Sequence, residues 1–172
     1  MWYVLWTSTG SEEKSRQMIL TNADPDLYTR CAIPYLLKRH YYKGKSHVVK
    51  LLLFPSYIFV ETEKIKEFVS NTKWFPGFNV VLHIDDFYFP IYKHEEYILT
   101  DLIDEKDIID ISKGYIEGEN VHITSGPLIG KEGYIKKINR RQGIAVLEMN
   151  LFNRTTEVSL GLELLEKKLL SD

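Results

Sequence analysis

WYVLWT (2–7) alternates and is rich in strand formers, which predicts a first β-strand. Gly10-Ser11-Glu12-Glu13 then reads as a helix start, with Ser11 as the cap and two acids in the first turn. Acids there meet the positive end of the helix dipole. The helix should run to about Leu20, with Met18, Ile19 and Leu20 as its apolar contacts, and Pro25 marks a turn. Two strand-like stretches follow, 30–35 and 48–62, and between them KRHYYKGK (38–45) reads as a basic, aromatic hairpin with Gly44 at its tip. Residues 63–69 predict a short helix. WFPGFNVVLHI (74–84) predicts a Pro76-Gly77 turn leading into a strand, and 93–102 a helix with Ile98 and Leu102 one turn apart.

The pattern then changes. Asp101 to Asp110 holds five acids and one lysine, so 105–116 predicts a flexible, solvated linker. Beyond it, short apolar runs (GENVHIT, GYIKKI, GIAVLEMNLF, TTEVSL) are separated by Gly and Asn, as in a small barrel. Val121 and Ile123 should point inward, and Ala145, Leu147, Met149 and Leu151 should share one face. Only residues near 161–170 look helical. The organisation expected is therefore a first domain over 1–104, a linker over 105–116 and a second domain over 117–172.

Composition narrows the function classes. Hydrophobic residues make up 44% and aromatics 13% of the 172 residues, enough for a real core. The net charge of −2 excludes a uniformly basic coat, so any nucleic-acid face must be a local patch. The lone Cys31 can build neither a disulfide framework nor a thiolate metal site and reads as a small buried hydrophobe. No signal-peptide pattern occupies residues 2–7, and Lys50 and Pro55 interrupt the apolar run 48–60, so a cytoplasmic protein is expected. His40, His47, His83, His94 and His122 lack metal-ligand spacing. Asp85-Asp86 and Glu95-Glu96 are adjacent pairs whose side chains point apart, and they read as surface carboxylates. No catalytic residue, cofactor or metal site is expected, and the chain does not read as an enzyme.

One segment invites a nucleotide-binding reading. A phosphate-cradling loop needs G-x-x-x-x-G-K-[ST] between a strand and a helix, so that successive backbone N–H groups wrap the phosphates. Gly126-Pro127-Leu128-Ile129-Gly130-Lys131 is one residue short, Glu132 stands where a hydroxyl is needed, and GYIKKI after it is strand-like. The glycines suit sharp turns and close strand approach instead.

The same residues carry a resemblance. GENVHITSGPLIGKEGYI (118–135) resembles the KOW motif, and NLFNRTTEVSL (150–160) resembles the segment closing the C-terminal domain of NusG-type transcription factors. WYVLWTSTGSEEK (2–14), LFPSYIFVET (53–62), NTKWFPGF (71–78) and EEYIL (95–99) fall in the order of that family's N-terminal (NGN) domain. The unusually aromatic KRHYYKGK and the local positive charge of the KOW half make the chain most similar to specialised paralogues of the LoaP type, with RfaH more distant. The resemblance implies an α+β fold: an NGN-type antiparallel sheet with flanking helices, followed by a small SH3-like all-β KOW barrel of five strands.

It also implies partners. Read alone, the aromatics of LFPSYIFV suit a buried core. By similarity, Trp6, Phe54, Pro55, Tyr57 and Phe59 would instead line a cavity that grips the clamp helices of RNA polymerase and favours processive elongation. Lys131, Lys136, Lys137, Arg140 and Arg141, with Arg154 nearby, suit either a solvated strand edge or a contact to RNA phosphates; LoaP-type relatives imply a nascent RNA hairpin. KRHYYKGK suits an exposed hairpin tip or a contact to non-template DNA or RNA through Tyr41 and Tyr42. Phe152 stands where NusG relatives contact a small-subunit ribosomal protein, and it equally suits capping the barrel. A monomer without membrane association is expected. The function implied is antitermination, with a housekeeping elongation factor that couples polymerase to the ribosome, or a ribosome-associated KOW protein, as alternatives.

Overall fold

A computed structural model describes residues 1–75, 83–84, 87–88, 90–151 and 154–165. The strands are β1 (Trp2–Trp6), β2 (Arg30–Ala32), β3 (Tyr35–Tyr42), β4 (Lys45–Leu52), β5 (Tyr57–Glu61), β6 (His83–Ile84), β7 (Phe87–Tyr88), β8 (Ile108–Ile109), β9 (Ser112–Glu117), β10 (Asn120–Ser125), β11 (Ile135–Asn139), β12 (Ile144–Leu151) and β13 (Arg154–Leu164). The α-helices are α1 (Glu12–Asn22), α2 (Ile65–Thr72) and α3 (Lys93–Tyr97), the last followed by a wider turn over Ile98–Leu102; short 3-10 turns lie at Pro25–Leu27 and Glu132–Tyr134. Two compact units form. One holds Met1–Pro34 and Phe54–Glu96, the other Tyr35–Leu53 and Tyr97–Asp172.

In the first unit β5 is the middle strand of an antiparallel sheet ordered β1-β5-β2. Leu5, Ile58, Val60 and Cys31 are buried, as are Ile19 of α1 and Phe68 of α2. Tyr28 meets Phe68 edge-on at 5.9 Å. Ser11 occupies the cap of α1, but its side chain makes no capping bond. Its φ of −105° and ψ of 3° are not the extended geometry that aims a cap hydroxyl at the first helical amides. The single strand expected over 48–62 is broken, because Pro55 has no N–H and Ser56 takes a φ of 72°, so no ladder runs through. The expected Pro76-Gly77 turn lies outside the described residues.

The second unit holds a five-stranded sheet ordered β10-β9-β13-β12-β11 and a smaller one ordered β4-β3-β8. The barrel core forms where Ala145 pairs with Leu160 and Leu147 with Val158, all four buried. The expected linker over 105–116 is instead built into this unit. Asp104 accepts from the amides of Lys106 and Ile108, both at 2.8 Å, and Asp107 takes a φ of 61°. The acids that suggested solvation turn the chain, and β8 and β9 follow. The helical hint near 161 also fails for the described part, since β13 runs to Leu164, paired with β12 on one side and β9 on the other. Residues 166–172 lie outside the description.

Gly126 has a φ of 96°, and a Cβ there would lie 2.6 Å from Ser112 Cα, so the glycine of GPLIGK closes a turn against β9. A single 3-10 turn over Glu132–Tyr134 and then strand β11 follow, not the α-helix a phosphate loop opens, which disposes of that reading. Lys43 (φ 49°) and Gly44 (φ 74°) make the two-residue turn between β3 and β4, where the tip was expected. This hairpin groups with the barrel and not, as expected, with residues 1–104. The close approach is permitted by Gly161, whose absent Cβ would sit 2.4 Å from the carbonyl oxygen of Leu37.

Candidate functional site

In the first unit Trp6 and Tyr57 stand directly opposite each other at the end of the β1–β5 pairing, on the same face as the pair Val4 and Phe59. Cover ends between the two pairs. Val4 and Phe59 are buried, Phe59 at 0% exposure, whereas Trp6 is 47% exposed and Tyr57 half-buried. Phe54 is half-buried, tilted against Phe59 with ring centroids 5.7 Å apart, and Pro55 is exposed. Trp6, Phe54, Pro55 and Tyr57 thus form an accessible aromatic edge in this unit. Phe59 does not join it as a surface residue. It sits on the middle strand between Val4 of β1 and Ala32 of β2, and it supports the edge from below through Phe54.

The turn that presents this edge is held from α1. Glu12, only 2% exposed, accepts from the amide of Ser56 at 2.8 Å. Ser56 also receives the Thr7 amide on its carbonyl at 2.8 Å and shares a hydroxyl contact of 2.6 Å with Thr9. A non-glycine residue at positive φ is kept there by three separate contacts. In the sequence Glu12 reads only as a helix-dipole acid. The available signal was an acid one turn after a polar loop and a Pro-Ser step elsewhere, too general to single it out.

In the second unit the expected basic patch divides. Lys131 pairs with Asp101 at 3.5 Å, and Lys136 with Glu148 at 3.2 Å. The register shift between Ile135 and Lys137 leaves both Lys136 and Lys137 exposed on β11. Arg140 and Arg141 are exposed in the β11–β12 turn. Arg154 begins β13 at the other end of β12, about 24 Å from that turn at ~3.4 Å per residue, so it does not join them. Its side chain, those of Tyr41 and Tyr42, and all of Phe152 lie outside the description. The structure brings Arg141 to the hairpin instead: Lys38, Arg39 and His40 share a cavity with Arg141, Gln142 and Ile144. Nothing in the spacing of these residues along the chain foretells that meeting.

Glu95, expected at the surface, is buried and accepts from the Tyr92 amide at 3.2 Å, closing the first turn of α3. Among the described residues no three His, Cys, Asp or Glu side chains gather as a metal site would, and no helix is long and apolar enough to cross a membrane.

A family model described as "Transcription termination factor nusG" matches residues 1–95. The chain belongs to the NusG family. It is 26% identical over 174 residues to "Transcription termination/antitermination protein NusG" of Rickettsia typhi, spanning 96% of this chain and 89% of the relative. The NusG of Thermus thermophilus is 27% identical (92% and 94% covered) and that of Lactococcus lactis 29% (96% and 91%). A solved structure titled "Domain interaction in Thermotoga maritima NusG" matches with a TM-score of 0.55 at 22% identity, covering 93% of this chain and 92% of that one. The fold is that of NusG: an NGN-type sheet with helices, then a small all-β barrel. The chain is a transcription termination/antitermination factor of this family.

Proposed function

We propose that this NusG-family chain is a specialised antiterminator of the LoaP type. Its first unit holds RNA polymerase at the clamp helices through Trp6, Phe54, Pro55 and Tyr57, and its barrel takes a hairpin in the nascent RNA. The observation that carries the first half is the exposed Trp6 opposite Tyr57, beside the turn that Glu12 holds at Ser56. Large aromatics left open at a rigid sheet edge are the groups that dominate protein–protein affinity. Rigidity matters as well, because a pre-set turn has little left to order on binding. The RNA half is supported by Lys137, Arg140 and Arg141, exposed cations on β11 and its turn.

The test is retention of RNA polymerase on the immobilised full-length chain. Replacing both Trp6 and Tyr57 by Ala should weaken retention by about thirtyfold or more, as expected for loss of hot-spot residues worth about 2 kcal/mol. Undiminished retention would remove the aromatic edge from the account and leave a ribosome-associated RNA-binding protein as the better reading.

A further inference from the structure

Arg39 of β3 has its guanidinium divided between two partners. Nη1 donates to Ser46 Oγ at 3.3 Å and Nη2 to Glu163 Oε2 at 3.1 Å. Its Nε is shut from solvent and has no hydrogen-bond partner among the described residues. A guanidinium presents a rigid fork of five donors that matches the oxygens of a phosphate. One carboxylate oxygen and one long hydroxyl contact leave that fork under-used, and an unspent buried donor is a cost until an oxygen reaches it.

Around it lies a cavity of about 510 Å³, lined by Lys38, Arg39, His40, Arg141, Gln142 and Ile144. Three of these carry a permanent positive charge, none is a carboxylate, and among the described residues Arg39 alone of the three is seen paired, with Glu163. Gln142 Oε1 is already occupied by Asn139 Nδ2 at 3.0 Å, so the amide has its N–H groups left to donate. The lining is therefore a concave set of donors with net positive charge. Such a hollow suits an anion with several acceptor oxygens, and its volume lies within the range of small-ligand sites.

We propose that this cavity binds a phosphate of an RNA backbone, with Arg39 turning from Glu163 to the phosphate. The inference rests on the RNA-binding reading above and assigns where the backbone sits. RNA is favoured over a lone phosphate because the cavity adjoins Arg140 in the same turn and β11 with its exposed Lys137. An A-form strand offers phosphates and 2′-hydroxyls in series for such a row. Glu163 is then a competitor: a ligand must outbid its carboxylate for Arg39, which disfavours weak anions.

The experiment titrates the full-length chain with a fluorescein-labelled RNA stem-loop and with the DNA hairpin of the same sequence. Lys38→Gln with Arg141→Gln should weaken RNA binding roughly tenfold or more and flatten the dependence of log K on log salt by about 1 for each charge removed. Lys66→Gln, which removes an exposed charge on α2 in the first unit, should change it little. Glu163→Gln should tighten binding, a gain that misfolding cannot produce. Wild-type RNA binding that survives the Lys38/Arg141 double change overturns the cavity while leaving RNA recognition standing. No RNA binding by the wild type overturns both. Tighter binding to the DNA hairpin overturns the assignment to RNA, and unchanged affinity in Glu163→Gln overturns the competition.

Discussion

Replacing Gly161 by Ala tests the packing of the β3–β4 hairpin on the barrel. A Cβ there would lie 2.4 Å from the Leu37 carbonyl oxygen and 3.0 Å from Ile111 Cγ1. An ordinary contact is about 3.4 Å, so β13 and β3 must part by about 1 Å, and the nearest obstacle is backbone rather than a yielding side chain. Overpacking of this kind costs about 1–3 kcal/mol. The alanine recovers about 0.4–1 kcal/mol through the less disordered unfolded chain, which leaves a net loss of about 1.3 kcal/mol at the midpoints of the two ranges. In a unit of roughly 100 residues that lowers Tm by about 5–10 °C. The assay is thermal unfolding of the full-length chain by circular dichroism, with Gly133→Ala as control, since a Cβ at Gly133 meets nothing within 4 Å. Leu147→Ala, deep in the same barrel, marks which transition belongs to this unit. A Gly161→Ala chain melting with or above the wild type would refute the close approach of β3 to β13.

Other substitutions separate support from contact in the first unit. Phe59→Ala should destabilise by about 3–5 kcal/mol in denaturant unfolding, because it empties a fully buried site on the middle strand. Trp6→Ala should stay within about 1 kcal/mol of the wild type by the same measurement, since that ring is half exposed. Glu12→Ala leaves the Ser56 amide without its acceptor, at a cost of about 1–3 kcal/mol. It should also reduce polymerase retention although no aromatic is lost, and full retention would show that the turn holds its shape without α1.

What the sequence revealed and what it hid follow from the range of the interactions. β1, α1, the tip at Gly44 and the strands of the barrel rest on local periodicity and turn chemistry, and these were legible. The linker expected over 105–116 is not found; Asp104 and Asp107 look identical in sequence whether they solvate a tether or cap a turn. The grouping of the β3–β4 hairpin with the barrel depends on Gly161 meeting Leu37, 124 positions apart, which no local pattern encodes. Phe59 shares its strand face with Tyr57, as alternation requires, but alternation cannot tell where along a face the cover ends. Nearness in the chain groups Arg154 with Arg140 and Arg141, and the length of β12 undoes that.

Single-round transcription by RNA polymerase through an intrinsic terminator tests the central claim most directly, with readthrough measured with and without the chain. The account predicts that the wild type raises readthrough and that the Trp6→Ala, Tyr57→Ala double variant, still folded, does not. Readthrough unchanged or lowered by the wild type, or raised equally by the double variant, would contradict it.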